Sequence, residues 1–311
     1  MKLCFRLPIT VYLEMEVLVE STICNGTPVY FKATPAKKES QSPFTILLLH
    51  NGGTDHSIWS TVAEILSEKH PLIQVDWPGY GECRGEPKEH GLADYADILS
   101  TFIKNNKLTS VVLVGNCLGS GAALEYCIRE KGEGIHAMVL FNVLVPRTLS
   151  SMCRFFYHWA NSPLNVFYHE VSKRLYTPKP LAGVVVKSQL KNAKLVSSET
   201  INHLKKLYTD SSNIQNLALL LGTMNKSKHL NRMKMPYYFP KTVVVWGDKN
   251  RILPLKKGEG FVNDFGPTEY RVLNGGHLVM LEQAEKSAEV ILNTIERHEI
   301  TDQHPQFKEM P

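Results

Sequence analysis

Val111-Val112-Leu113-Val114-Gly115-Asn116-Cys117-Leu118-Gly119-Ser120-Gly121 decides how this chain folds. Four apolar residues, three of them valine, read as a buried strand. A Gly-x-Cys-x-Gly turn stops the strand, and Ala122-Ala123-Leu124-Glu125-Tyr126 continues as a helix. This arrangement leaves the middle side chain of the turn, Cys117, standing above a helix N-terminus. Such a turn is strained and leaves no room for a Cβ on either side, hence the flanking glycines. The positive helix end favours an anion, so a thiolate with a depressed pKa is expected at Cys117.

Working outward, residues 15–21 and 27–34 alternate as strands do, with Asn25-Gly26 as a tight turn between them. A polar loop over 36–41 leads to a strand at 44–50 and a helix at 58–69. A strand at 71–75 and an apolar-periodic helix at 92–104 precede the elbow strand at 110–115. The elbow helix runs through Arg129, and another strand covers 137–143. Strand–helix alternation of this kind predicts an α/β protein, with a mostly parallel sheet and helices on both faces. From 146 to 240 no strong strand pattern appears, and helical pieces stand at 149–160, 197–208 and 214–224. Strands resume at 242–246 and 268–273, and a last helix covers 282–297. The reading is one core made of 1–145 and 241–300. A helical cap, 146–240, is inserted over the strand ends, and 301–311 form a frayed tail.

Five segments together resemble the α/β-hydrolase superfamily, and the resemblance covers nearly the whole chain. Leu47-Leu48-Leu49-His50-Asn51-Gly52-Gly53 is similar to the strand ending in His-Gly, with Asn51 where the family usually has glycine. Asp76-Trp77-Pro78-Gly79-Tyr80-Gly81 resembles the turn after the next strand. The elbow carries Cys117 where most such elbows carry serine. Val243 to Pro254 resembles the segment that brings the triad acid, and Asn274-Gly275-Gly276-His277 the one that brings the histidine. The resemblance implies a capped member of the family with a cysteine nucleophile.

The site residues follow from the elbow and the resemblance together. Cys117 is the candidate nucleophile; its bland alternative is an inert buried cysteine in a structural turn. His277 is the candidate base, with Gly275-Gly276 expected to make its loop flexible. The family's acid falls at position 250, where this chain has Asn250. A Cys–His pair tolerates a neutral orienting group, and replacing Asn250 by aspartate, the family's usual group, is expected to cost less than replacing it by alanine. Asp248, two residues earlier, is the alternative orienting residue; otherwise it is a turn residue. The oxyanion hole is expected from the backbone N–H groups of Gly52 and Leu118. Asp76 is expected to cap its turn, Trp59 to be packed, and His56 to be exposed or to line the pocket. The aromatic residues Phe155, Phe156, Tyr157, Trp159, Phe167, Tyr168 and Tyr176 read mainly as helix core, some facing an apolar substrate pocket.

Composition narrows the setting. In 311 residues the net charge is +5 and the lysines are scattered, apart from a cluster in 187–234. That does not point to nucleic acid. No apolar run is long enough to span a bilayer. The N-terminus starts like a signal peptide, but Arg6, Pro8 and Glu14 interrupt it, so secretion is not expected. Cys4, Cys24, Cys83, Cys117, Cys127 and Cys153 show no paired spacing, which fits a reducing cytoplasm. No His, Cys or Asp cluster has metal spacing, and no cofactor is called for. The reading is an acyl-transfer enzyme: a thioesterase or acyltransferase acting on a small acyl substrate, carrier-bound thioesters included. The alternatives are a carboxylesterase or lactone hydrolase, and an inactive ligand-binding protein of the same fold.

Overall fold

The computed structural model describes residues 18–37 and 42–303, with side chains through Glu296. The N-terminal signal-like stretch, and the tail beyond Gln303, lie outside the described residues.

Eight strands form one sheet in the order β1-β2-β4-β3-β5-β6-β7-β8. They are β1 Leu18–Cys24, β2 Thr27–Thr34, β3 Thr45–Leu49, β4 Leu72–Asp76, β5 Val111–Asn116, β6 Ile135–Phe141, β7 Lys241–Gly247 and β8 Glu269–Leu273. β1 and β2 pair antiparallel, β2 pairs antiparallel with β4, and all other pairs are parallel. β3, β4 and β5 are buried along their whole length. That is why they read as largely apolar runs rather than alternating ones, with Gln74 the polar exception inside β4.

Helices cover both faces. α1 (Ser60–Leu66) packs on one face; α2 (Leu92–Asn105) and the elbow helix α3 (Leu118–Arg129) pack on the other. The chain leaves β3 for β4 on one side, then crosses to β5 on the other side of β3. The C-terminal ends of β3 and β5 are therefore neighbours at a topological switch point, with Leu49 opposite Gly115. This places the loop after β3 against the elbow after β5.

Between β6 and β7 the chain is helical: α4 Ser151–Ala160, α5 Asn165–Ser172, α6 Lys179–Ser188, α7 Ser198–Thr209 and α8 Ser211–Thr223. Two of these, α5 and α6, have no counterpart among the sequence-predicted pieces. After β7 comes α9 (Leu255–Phe265), also unpredicted, then α10 (Val279–Glu282) and α11 (Ala284–Gln303). α9 carries two glycines in a weakly helical sequence, and buried Phe261 and Phe265 hold it to the core.

Candidate active site

The elbow is built by close backbone approach. A Cβ on Gly119 would overlap Leu49 O, and one on Gly115 would lie 2.5 Å from the Gly119 carbonyl carbon. Cys117 sits between them at φ 51° and ψ −105°, a conformation that L residues rarely hold. Its N–H donates to Phe141 O (3.0 Å) and its carbonyl accepts from Gly121 (2.9 Å). Gly119 N–H donates to His50 O (3.2 Å), which ties the elbow to the loop after β3.

Cys117 is buried, and burial pushes its thiol well above the ordinary range. The Leu118 N–H at the start of α3 acts in the lowering direction and is outweighed. The thiolate expected from the helix end is thus overruled by desolvation: the resting side chain is the neutral thiol.

His277 lies in the turn between β8 and α10 and is also buried. Burial pushes its pKa down to about 3, so the ring is neutral. Its Nδ1 stands 3.2 Å from Asn250 Oδ1. Among the described residues, no hydrogen bond joins Cys117 Sγ to His277. The two are linked instead through Asn116, which precedes Cys117 and whose Nδ2 donates to His277 O (3.3 Å). Gly275 and Gly276 are tightly packed rather than mobile. A Cβ on Gly276 would overlap Gln189 O, and His277 N–H donates to that same carbonyl (2.6 Å). Glu282 takes the Gly276 N–H (2.6 Å), and Asp248 takes the Gly275 N–H (3.0 Å).

Asp248 is otherwise engaged by Lys191, whose Nζ lies 2.9 Å from Oδ2. Asn250 is the residue brought to His277. It belongs to a row of four asparagine side chains running across the strand ends. Asn250 Nδ2 donates to Asn142 Oδ1 (2.9 Å), Asn142 Nδ2 to Asn116 Oδ1 (3.0 Å), and Asn116 Nδ2 to Asn51 Oδ1 (3.2 Å). Asn51 Nδ2 donates to Gly52 O (3.0 Å). Main-chain groups fix the direction of the row. Asn142 Oδ1 also accepts the Gly247 N–H (3.0 Å), and Asn142 Nδ2 also donates to His277 O (3.1 Å). The Asn250 atom facing Asn142 Oδ1 must therefore be the donor, Nδ2. Its Oδ1 then accepts from Ile252 N–H (3.0 Å), Leu253 N–H (2.9 Å) and His277 Nδ1–H. The proton on Nδ1 leaves Nε2 of His277 with its lone pair.

Sequence reasoning missed Asn116 and Asn142. The available signal was a polar residue closing an apolar strand at the sheet's C-terminal edge, at Asn116 in β5 and just past β6 at Asn142. It also missed the meaning of Asn51, which stands in the loop where glycine is usual and holds that loop through Thr54 Oγ1 (2.9 Å) and Gly52 O.

The loop after β3 is covered from above. A Cβ on Gly52 would lie 3.2 Å from Leu217 Cδ1, 3.4 Å from Leu220 Cδ2 and 3.3 Å from Tyr80 Oη. One on Gly53 would lie 2.9 Å from Tyr208 Oη. Polar contacts fasten the covering helices: Asn213 Nδ2 to Gly53 O (3.0 Å), Asn216 Nδ2 to Gly79 O (3.1 Å) and His203 Nε2 with Asp55 Oδ2 (2.6 Å). Of the aromatic residues read mainly as helix core, Tyr157 and Tyr168 are buried, whereas Phe155, Phe167 and Tyr176 are exposed.

Asp76 accepts the N–H groups of His56 (2.6 Å) and Glu82 (3.0 Å). His56 Nδ1 lies 3.0 Å from the same carboxylate, so this histidine serves the turn. Trp59 is fully buried against Phe141. Among the described residues, no group of three or more His, Cys, Asp or Glu side chains is placed to hold a metal ion, and none of the helices is long and apolar enough to cross a membrane.

Known proteins resemble the chain over most of its length. It is 21% identical over 286 residues to a 2-hydroxy-6-oxononadienedioate/2-hydroxy-6-oxononatrienedioate hydrolase of Escherichia coli, covering 83% of this chain and 88% of that protein. Its fold matches a thermophilic esterase from Thermogutta terrifontis with a TM-score of 0.68 at 18% identity, covering 91% of this chain and 99% of the other. It matches an esterase from Exiguobacterium antarcticum with a TM-score of 0.69 at 17% identity, covering 91% and 100%. The family described as "alpha/beta hydrolase fold" matches residues 45–284, more than two thirds of the chain. With the sheet order, the elbow and this match in agreement, the chain belongs to the alpha/beta hydrolase fold family.

Proposed function

We propose that the protein is an acyl-transfer enzyme with Cys117 as nucleophile, His277 as base and Asn250 as the orienting residue. The observation that carries this reading is the 3.2 Å contact of His277 Nδ1 with an Asn250 amide whose direction the main chain fixes. It supports a ring held in one tautomer, with Nε2 ready to take a proton. As Cys117 Sγ attacks the substrate carbonyl carbon, its proton passes to His277 Nε2. The carbonyl oxygen becomes an oxyanion, received by the N–H groups of Leu118 and Gly52. Collapse breaks the bond to the leaving group, which takes the proton back from His277. An acyl-thioester on Cys117 remains, and water or another acceptor resolves it with His277 as base.

The acyl-enzyme of a cysteine is itself a thioester, which favours thioester substrates and acyl transfer over amides. A thioesterase or acyltransferase is therefore the first choice. Residues 146–240 serve as its cap, a role supported by Leu217, Leu220 and Tyr208 lying over Gly52 and Gly53. Five free cysteines among the described residues favour a reducing compartment such as the cytoplasm. Carboxylester or lactone hydrolysis is the second reading. It is favoured by the neutral thiol, which must lose its proton during attack as a serine does. The esterase neighbours and the hydrolase relative add weight to hydrolysis.

The test is a panel of acyl thioesters and acyl esters with intact-mass analysis of quenched enzyme. The expected result is turnover together with an acyl adduct on Cys117, and no turnover by Cys117→Ala. An alanine variant with wild-type turnover overturns the mechanism. A wild-type chain that binds acyl compounds without turnover or adduct points to the ligand-binding alternative.

A further inference from the structure

Thirteen large apolar side chains are exposed among the described residues, and eight of them fall between Met152 and Val184. Scattered exposed apolar residues are ordinary; a contiguous group marks an interaction site. On α4, Tyr157 and Ala160 face the core, while Met152 and Phe155 point outward, each 64% exposed. On α5, Tyr168 and Ser172 are buried, while Val166 and Phe167 are 73% and 61% exposed. Each helix is thus apolar on two faces, and the fold uses one. The Phe155 and Trp159 rings lie 6.3 Å apart, and those of Trp159 and Phe167 5.9 Å apart, which joins the two outward faces into one surface.

The charge around this surface is one-sided. α4, α5 and the turn that follows α5 carry Arg154, Lys173 and Arg174 against a single acid, Glu170. Glu170 pairs with Lys173 (2.9 Å) and Arg174 (4.0 Å), leaving both cations largely exposed. A second copy seated on the face by twofold symmetry would bring this basic rim against itself. An anionic bilayer surface instead offers negative headgroups to the rim and acyl-chain boundary to the rings. Tryptophan is suited to that interface, with an apolar body and a polar N–H.

We propose that the outward face of α4 and α5 seats the protein on an anionic lipid surface. Phe155, Val166 and Phe167 enter the headgroup boundary, and Arg154, Lys173 and Arg174 meet the phosphates. Attachment is peripheral, because no described helix is long and apolar enough to cross. α4 and α5 rest on α8, through Asn161 Nδ2 to Gly222 O (3.3 Å) and Tyr168 Oη to Ala218 O (2.6 Å). The inner side of α8 carries Leu217 and Leu220 over Gly52. The docked face is therefore one helix away from the candidate site. The inference does not depend on the acyl-transfer reading, since its test measures binding alone.

The test is flotation of the full chain with vesicles of phosphatidylcholine alone, and of phosphatidylcholine mixed with phosphatidylserine. The expected result is co-flotation with the mixed vesicles, roughly tenfold weaker with phosphatidylcholine alone and weakened by salt. The double variant Phe155→Asp/Phe167→Asp should bind the mixed vesicles roughly tenfold or more weakly. Both side chains are exposed, so its thermal midpoint should match the wild type. Arg154→Glu alone should weaken binding and leave the folded state intact. Failure of the wild type to float with mixed vesicles overturns the proposal, as does binding untouched by the double substitution. A wild-type dimer that the double variant turns into a monomer, without vesicle binding, assigns the face to a second copy.

Discussion

Asn250 Nδ2 donates to Asn142 Oδ1 at 2.9 Å, and this bond determines which group position 250 is able to hold. The position must give a hydrogen bond on one side and accept hydrogen bonds from His277, Ile252 and Leu253 on the other. An amide does both; a carboxylate only accepts.

We therefore predict that Asn250→Asp impairs the protein, against the expectation from the family's usual acid. The new carboxylate oxygen would face Asn142 Oδ1, and Asn142 cannot turn without losing Gly247 N–H and His277 O. Leaving such groups buried and unpaired costs about 1–3 kcal/mol. Thermal unfolding and kcat/KM on one acyl substrate should place Asn250→Asp at or below Asn250→Ala. Asn142→Asp should be impaired in the same way. An aspartate variant more active than the wild type would sink the amide argument.

The row of asparagines also marks where the sequence stops being readable. The central strands were legible because burial on both faces leaves them largely apolar, β1 and β2 because they alternate, and the elbow because its glycines answer a steric need at fixed spacing. The direction of the asparagine row was not. It depends on residues 51, 116, 142 and 250, which approach only after β3, β5, β6 and β7 are ordered in the sheet. The packing of Gly275-Gly276 was misread for a similar reason, since the partner backbone at Gln189 is distant in the chain. The state of Cys117 turned on a competition. A helix end lowers a thiol's pKa and burial raises it, and the sequence exposes the first effect but not the second.

A second prediction concerns that thiol. With Cys117 raised and His277 lowered to about 3, both are neutral through the physiological range. Thiolate absorbance near neutral pH, measured as wild type minus Cys117→Ser, should be absent. In the resting protein Cys117 should react with iodoacetamide no faster than an ordinary exposed thiol. A thiolate band that titrates below neutral pH would show that the helix end and His277 outweigh burial.

A third prediction uses the fastening of α7 to the loop after β3. His203 is raised from its ordinary value, chiefly by its hydrogen bond to Asp55. For a raised histidine the contribution to stability is complete below the unfolded value, about 6.5, and is lost as pH climbs through the folded value. The charge is partly solvent-screened, so the effect should be modest. The midpoint difference between wild type and His203→Gln should be larger near about pH 6 than near about pH 9. An equal difference at both, or a larger one at the alkaline end, would contradict this.

The last prediction concerns Tyr80, whose ring is fully buried and whose hydroxyl lies beside that of Tyr95. The Tyr95 hydroxyl donates to Pro78 O (3.3 Å), which leaves it as an acceptor toward Tyr80. Burial raises the Tyr80 hydroxyl well above its ordinary range, so it keeps its proton and remains a donor. It stands 3.3 Å from where a Cβ on Gly52 would be, beside the loop proposed to receive the oxyanion. A polar atom arriving in the site would compete with Tyr95 for this donor. Tyr80→Phe should therefore keep the fold, yet lose roughly tenfold in kcat/KM, worth about 1.4 kcal/mol. The split between the constants identifies the ligand atom. A fall in kcat places the hydroxyl on the oxyanion as it forms, and a rise in KM with kcat kept places it on a polar atom of the bound substrate. A phenylalanine variant with both constants unchanged would leave Tyr80 a packing residue only.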